Sequence, residues 1–375
     1  MSKFPVDRNV IVWGDTPEAE RAVQELEMLG YNAQQVAPSL NGSGEDTPAA
    51  MKGHVGGFTL SLREGESMRS HRASALVIAT GNERAFPTDR YAFPLSSRVL
   101  STAQMRQRLD ATKPASTAQG EQQILLALDL ESETSREMTS EVFRLAMRLR
   151  QERYAEVFLF YRDLKVDAPG LERLTREMRQ QGIVFCRYGE AEIATGEDSV
   201  YIGYREGEIE GDLLVLPETV QPRPDTEALA ALLGARVGED GYFQTLNVQG
   251  YRAGLSNRRG IFFAGRCHMD CDVTEAQEDA TQVAASVDAL LRTGFLEPDS
   301  VIAKVEASEC VRCLSCIRTC PHGAVELAAY ENTVAARVIE VACQACGACV
   351  AGCPAQAISM VGQTLPAWMA SPQEG

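Results

Sequence analysis

The sequence CVRCLSCIRTCP at residues 310–321 returns as CQACGACVAGCP at residues 343–354. Each copy follows the spacing Cys-x2-Cys-x2-Cys-x3-Cys-Pro. Together the copies hold eight of the chain's eleven cysteines, namely Cys310, Cys313, Cys316, Cys320, Cys343, Cys346, Cys349 and Cys353. A 4Fe-4S cluster needs four thiolates, and a Cys-x2-Cys-x2-Cys loop delivers three of them from one tight turn. The spacing therefore predicts two 4Fe-4S clusters, and electron transfer is the first function to consider.

The fourth ligand of each cluster must come from outside its loop. Residues 300–361 resemble a bacterial two-cluster ferredoxin over their whole length. In such ferredoxins the last cysteine of each run ligates the cluster of the other run. The resemblance implies two ligand sets: Cys310, Cys313, Cys316 and Cys353 for the first cluster, and Cys343, Cys346, Cys349 and Cys320 for the second.

Cysteines at this density could also serve two other purposes. A disulfide framework requires an oxidising compartment, and Met1 to Arg8 lacks the apolar segment of a signal peptide. Zinc sites usually show separated Cys-x2-Cys pairs rather than four cysteines in one run that ends in Cys-Pro. The spacing favours iron-sulfur clusters over both.

Composition limits the remaining possibilities. A chain of 375 residues predicts two or three domains, and its longest apolar runs are far too short to cross a membrane. The net charge of -16 argues against a nucleic-acid partner, because phosphate binding requires a basic surface. We expect a cytoplasmic protein without a transmembrane segment of its own, with docking on a membrane-bound partner left open.

The first 299 residues show strands that alternate with helices. Asn9 to Trp13 predicts a strand, Glu18 to Leu29 a helix and Tyr31 to Val36 a second strand, whereas the glycines and prolines of Asn41 to Gly57 predict a loop. Further predicted strands are Phe58 to Leu62, Ala75 to Ala79, Ile124 to Leu128, Val157 to Tyr161, Ile183 to Cys186 and Gly260 to Gly265. Further predicted helices are Glu141 to Gln151, Leu171 to Gln180 and Val273 to Leu291. This order predicts an α/β fold with parallel sheets covered on both faces.

Three strand-end motifs carry a second resemblance. Ala79-Thr80-Gly81, Asp212 to Thr219 and Gly260 to Gly265 are similar to the recurring motifs of two-dinucleotide-domain flavoproteins. Together with Phe160-Tyr-Arg-Asp163, Asp240-Gly-Tyr-Phe243 and Asp272 to Gln277, they resemble the A-type component of heterodisulfide reductase and its relatives in quinone-interacting membrane-bound oxidoreductases.

This resemblance implies a degenerate Rossmann-type body followed by an α+β ferredoxin domain. The expected divisions are residues 1–110 plus 236–299 as an FAD-domain-like region, 111–235 as an inserted NAD-domain-like region, 300–361 as the ferredoxin domain and 362–375 as a tail. Thr112 to Gly120, polar and proline-bearing, is the predicted connector at the first boundary.

The dinucleotide-binding turn departs from its usual pattern. Gly-x-Gly-x-x-Gly lets backbone amides approach a pyrophosphate, but the turn here reads Gly14-Asp-Thr16-Pro-Glu-Ala19. Arg266 also stands where the family usually has an acidic residue. NAD(P)H binding is therefore unsupported.

FAD binding is left open, the alternative being a retained fold with a vacant site. The residues that would contact FAD are Gly14, Ala79, Thr80, Gly81, Gly265, Arg266, Val273 and Thr274, with Thr274 expected to cap the following helix. Outside the two runs, Cys186, Cys267 and Cys271 are interpreted as reduced structural thiols. His322 is expected to tune a cluster by hydrogen bonding.

The resulting hypothesis is an iron-sulfur electron-transfer subunit of a multisubunit redox complex, with other redox subunits as partners, one of which is membrane-associated or quinone-reactive. Whether the chain is itself an enzyme stays open. Two alternatives remain: a self-contained FAD-dependent NAD(P)H oxidoreductase, and a flavin-free scaffold that carries the clusters.

Overall fold

A computed structural model gives the fold of the chain. It describes residues 3–37, 46–64, 67–86, 96–111, 122–130, 132–153, 156–196, 198–205, 207–246, 254–330 and 333–362. The chain divides into two compact units. Unit 1 comprises residues 1–81, 222–269 and 275–375, and unit 2 comprises residues 82–221 and 270–274.

A four-stranded parallel sheet forms the centre of unit 1. Its strands lie in the order Ile261–Phe263, Ala75–Ile78, Asn9–Trp13 and Asn32–Val36. Ala75 to Ile78 and Val10 to Trp13 are buried without alternation, as expected for strands covered on both faces. The helix Pro17–Met28 follows the strand Asn9–Trp13, with Thr16 as its N-cap. The opening βαβ unit predicted from the sequence is confirmed.

Unit 1 also contains an antiparallel sheet that corrects one prediction. Its strands are Asp46–Lys52, Phe58–Glu64 and Ser67–Ala73. The loop predicted over Asn41 to Gly57 was therefore wrong for residues 46–52, and residues 41–45 lie outside the described ranges. A register shift after Pro48 in this edge strand explains why the proline is tolerated, because a bulge needs no ladder hydrogen bond there.

The remaining elements of unit 1 outside the ferredoxin region are short, apart from one long helix. They are the strands Phe4–Pro5 and Phe295–Leu296, the helix Thr226–Leu233, the 3-10 helix Gly265–Cys267 and the helix Val273–Leu291, whose first two residues fall in unit 2. Val273–Leu291 has the bounds predicted from the sequence. It buries Ala280, Val283 and Val287 in the core of unit 1.

A five-stranded parallel sheet forms unit 2. Its order is Val184–Arg187, Glu156–Tyr161, Gln123–Ala127, Leu213–Leu216 and Val99–Ser101. Its helices are Thr102–Ala111, Arg136–Arg153 and Leu171–Gln180. The smaller strands are Glu83–Ala85, Glu192–Thr195, Val200–Tyr204, Gly207–Gly211 and Thr219–Gln221. Two parallel sheets in one chain confirm the α/β class.

Unit boundaries differ from the divisions expected from the sequence. Residues 82–110 were assigned to the first region, but the structure groups them with unit 2 because Val99–Ser101 pairs with Leu213–Leu216. Residues 222–235 group with unit 1. The expected connector Thr112 to Gly120 and residues 363–375 of the tail lie outside the described residues.

The ferredoxin region consists of two similar halves. Ile302–Val305 pairs antiparallel with Ile358–Val361, and Val325–Tyr330 pairs with Thr333–Val338. Each half runs from a strand through a cysteine loop and a short helix, Ser315–Thr319 or Ala348–Ala351, to a second strand, with the 3-10 helix Glu340–Ala342 before the second loop. Within the described residues, no helix combines the length and hydropathy that a membrane crossing requires.

Candidate iron-sulfur site

Left-handed backbone shapes both cysteine loops. Arg312 and Leu314 have φ values of 57° and 64°, and the residues at the matching positions of the second loop, Ala345 and Gly347, have 54° and 74°. Successive amide groups in such turns converge and form a concave nest for an anion, a geometry found at iron-sulfur sites. Non-glycine residues adopt it only when the surroundings over-determine it. The backbone amides of both loops are therefore arranged to stabilise an anion, such as a 4Fe-4S cluster together with its four thiolate ligands.

The first cavity is enclosed by cysteines from both runs. The cysteines in its lining are Cys310, Cys313, Cys316 and Cys353. Most of the other lining residues are apolar, among them Val305, Leu327 and Ile358, and Arg312 also lines the cavity. These four cysteines are the set that the ferredoxin resemblance assigned to the first cluster.

The second cavity also combines three cysteines of one run with the last cysteine of the other run. The cysteines in its lining are Cys320, Cys343, Cys346 and Cys349. The backbone amide of Ala324 donates to Sγ of Cys320 at 3.4 Å. His322 lines this cavity, and its Nδ1 lies 2.6 Å from the carbonyl oxygen of Asn257. The hydrogen bond that the structure gives to the His322 ring is therefore with the carbonyl oxygen of Asn257.

Electrostatics at the cysteines favours a cationic centre. Burial, followed by the charges of Cys320, Cys343 and Cys346, raises the pKa of Cys349 to about 11. Burial likewise raises the pKa of Cys316. A hydrogen bond with Ser315 lowers the pKa of the exposed Cys313. Four converging thiolates repel one another unless positive charge lies between them, and the iron of a 4Fe-4S core supplies that charge.

The residues present therefore fit two 4Fe-4S clusters. Within the described ranges, no three His, Cys, Asp or Glu side chains are close enough together to hold a single metal ion. Cys267, one of the cysteines outside the runs, is buried, and its thiol donates to the carbonyl oxygens of Ile78 and Ala264. Burial raises the pKa of Cys267. Cys271 and Cys186 are buried as well.

The dinucleotide-like turn is filled by its own side chains. Gly14, at a φ of 150°, is required by packing, since a Cβ there would lie 2.0 Å from the carbonyl oxygen of Ala79. Thr16 Oγ1 donates to that same oxygen at 2.8 Å and accepts from the amide of Ala19 at 3.2 Å. A pyrophosphate would need this helix N-terminus free and no side chain at position 16.

A buried ion pair lies in the first turn of the same helix. Arg266 contacts both carboxylate oxygens of Glu18, at 3.1 Å and 3.0 Å, and the two side chains are 11% and 0% exposed. A Cβ at Gly265 would lie 2.7 Å from Cγ of Glu18. The amide of Gly265 is already bonded to Asp279 at 2.7 Å. The two departures from the flavoprotein pattern, at positions 18 and 266, are thus partners of each other.

The start of the helix Val273–Leu291 corrects another expectation. The helix is capped by Asp272, whose Oδ1 accepts from the amide of Thr274 at 2.8 Å, and not by the Thr274 side chain. Asp272 also pairs with Arg144 at 2.8 Å. Aspartate is well suited to the N-cap position because its carboxylate accepts a hydrogen bond from the backbone amide and complements the helix dipole.

These observations do not fit an FAD diphosphate at the usual turn. The structure brings Gly14 close to Ala79, and Gly265 and Arg266 close to Glu18, all in unit 1, whereas Val273 and Thr274 belong to unit 2. Thr16 and the Glu18–Arg266 pair occupy the turn that a diphosphate would need. The Glu18–Arg266 pair was missed by sequence reasoning, although the turn that contains Glu18 and the residue Arg266 were each noted as departures from the usual pattern.

Comparison with known proteins supports the class defined by this site. Residues 309–358 match the 4Fe-4S dicluster domain family. The chain is similar to an A-type iron-sulfur subunit of the CoB--CoM heterodisulfide reductase of Methanopyrus kandleri, with 25% identity over 281 residues, covering 68% of this chain and 42% of that protein. It is also similar to the A-type iron-sulfur subunit of the same enzyme from Methanocaldococcus jannaschii, with 29% identity over 48% of this chain and 29% of that protein. The resemblance predicted from the sequence is confirmed.

The chain spans less than half the length of these relatives. A protein of Archaeoglobus profundus that is named for its likeness to the same heterodisulfide reductase component is 24% identical over 50% of this chain and 28% of its own length. Among solved structures, thioredoxin reductase of T. acidophilum is similar with a TM-score of 0.48 and 13% identity, covering 76% of this chain and 99% of that one.

Proposed function

We propose that this chain is an electron-transfer subunit of a larger redox complex. The observation that carries the proposal is the arrangement of eight cysteines as two groups of four around two cavities. When bound there, each 4Fe-4S cluster supplies a one-electron carrier. The cysteine loops hold the carriers, and buried apolar residues such as Ala303, Val325 and Ile358 pack around them.

Exposed apolar side chains lie beside the first cavity. Each cavity has one exposed cysteine, Cys313 or Cys346, but at the first cavity the neighbouring Val311 and Leu327 are also 62% and 47% exposed. Large apolar side chains beside a redox centre favour contact with another protein, because their burial stabilises a complex. We assign the entry or exit of electrons from a partner protein to this surface.

The partners follow from the relatives only by analogy. Their names describe subunits of heterodisulfide reductases. We therefore propose other redox subunits as partners, one of them catalytic or quinone-reactive. A cytoplasmic location, at the inner membrane when such a partner is membrane-bound, agrees with this proposal.

The body serves as a flavin-free scaffold in this proposal. Thr16 and the Glu18–Arg266 pair occupy the turn that would bind a diphosphate. Among the described residues, the phosphate turn and its charge are unsuitable for binding the pyrophosphate of a nicotinamide dinucleotide. The self-contained NAD(P)H oxidoreductase is accordingly the less favoured alternative.

We expect the purified chain to accept electrons only at its clusters. Under anaerobic conditions dithionite should bleach the visible absorption of both clusters. NADH or NADPH, supplied with ferricyanide as artificial acceptor, should give no turnover above that of a heat-denatured sample. Specific turnover by the isolated chain would instead support the oxidoreductase alternative and contradict the proposed function.

A further inference from the structure

A loop of the body contacts the second cluster site. Asn257 donates through Nδ2 to the carbonyl oxygen of Pro321, which directly follows the ligand Cys320. The carbonyl oxygen of Asn257 lies 2.6 Å from Nδ1 of His322 and accepts from Nε2 of Gln344 at 3.1 Å. Gln344 in turn follows the ligand Cys343. This loop therefore contacts the backbone after Cys320 and the side chain after Cys343.

Arg258, the next residue of the loop, points its guanidinium at the same turn. A Cβ built on Gly323 would lie 3.0 Å from Nε of Arg258, and the amide of Gly323 bonds to the carbonyl oxygen of Cys320. The other guanidinium nitrogens donate to the carbonyl oxygens of Leu233 at 2.6 Å and Gly53 at 2.9 Å. The charged group is therefore held in one orientation by neutral acceptors.

No carboxylate within the described ranges forms an ion pair with Arg258, which distinguishes it from comparable arginines. Arg84 is paired with Glu137 and Glu141, and Arg266 with Glu18. Burial lowers the pKa of Arg258, whereas negative charge on Cys320 acts in the opposite direction. A partly desolvated cation is costly unless a negative charge lies nearby.

The second cluster would provide that negative charge. Four thiolates outweigh the positive charge of a 4Fe-4S core, so the assembly is anionic, and reduction by one electron makes it more so. A fixed cation beside it stabilises the reduced state more than the oxidised state. We infer that Arg258 is the counter-ion of the second cluster site and holds the reduction potential of that cluster above that of the first.

The first site has a nearby cation of a different kind, because Arg312 lines the first cavity but is exposed. The turn that corresponds to Cys320 to Gly323 is Cys353 to Gln356, and it has Ala355 in place of His322. Arg312 and Arg318 of the first loop are exposed, so that solvent screens their charge. The inference rests on the proposed function. It implies that electrons entering at the first site move on to the second.

Reduction potentials of the two clusters test the inference. The full chain would be purified anaerobically, its iron and sulfide counted, and each cluster followed by electron paramagnetic resonance during a potentiometric titration. A Cys353→Ser variant would assign the signals. In the wild type the second cluster should have the higher potential. Arg258→Gln should lower that potential and leave the first unchanged, while Arg258→Lys should retain most of the wild-type value.

Arg318→Gln is the matched control, since it removes an exposed arginine beside the first site, and neither potential should change measurably. A wild-type second cluster with a potential equal to or below that of the first would overturn the inference even if Arg258→Gln failed to fold. So would an unshifted potential in a folded Arg258→Gln variant. Absence of both clusters from the wild type would instead contradict the proposed function itself.

Discussion

Replacing Cys353 with serine is expected to remove the cluster whose other ligands are Cys310, Cys313 and Cys316. The four cysteines line one cavity although Cys353 lies far from the others in sequence. Loss of one thiolate leaves that core incompletely ligated, so iron content should fall by about half, from about eight to about four atoms per chain. Iron and sulfide analysis with electron paramagnetic resonance measures the change.

Cys320→Ser is the matched control because it occupies the same position in the first run. It should remove the second cluster, which is lined by Cys343, Cys346 and Cys349. If Cys353→Ser removed the signal of the second cluster instead, each run would ligate its own cluster. The crossed arrangement would then be wrong.

Removing Arg266 is expected to destabilise unit 1 strongly. Arg266→Met leaves the carboxylate of Glu18, which is 0% exposed, without its cation. Breaking a buried pair in this way costs about 3–5 kcal/mol, because the remaining charge is neither solvated nor compensated. Thermal unfolding followed by circular dichroism should show a clear decrease in the midpoint of the unit 1 transition.

Two further variants serve as controls for the loss of stability in Arg266→Met. Glu18→Leu combined with Arg266→Met should recover much of the loss, because no unpaired charge remains. Arg173→Met removes the exposed Arg173–Glu177 pair, whose side chains are 81% and 49% exposed, and should cost less than about 1 kcal/mol. Equal effects of Arg266→Met and Arg173→Met would show that the Glu18 site is open to solvent.

Features encoded by nearby residues were predictable from the sequence. The cysteine loops depend on residues within one turn, so their spacing predicted the site before any fold was known. Helices such as Leu171–Gln180 and Val273–Leu291 appeared at their predicted bounds because their apolar residues recur at helical spacing.

Features created by distant residues were not predictable in this way. The strand Asp46–Lys52 exists because Phe58–Glu64 pairs with it, and its proline and nearby glycines locally favour a loop. Glu18 and Arg266 are 248 residues apart in sequence. Only the fold brings together Arg258 and the turn after Cys320. An acidic residue in the phosphate turn together with a basic one at position 266 was the one available sequence signal for the buried pair.

Iron, sulfide and flavin analysis of the anaerobically purified chain tests the central claim most directly. We expect about eight iron and about eight sulfide per chain, from two complete sets of four cysteines, and no stoichiometric FAD. A sample dominated by zinc with little sulfide would contradict the iron-sulfur relay. One FAD per chain would contradict the flavin-free body.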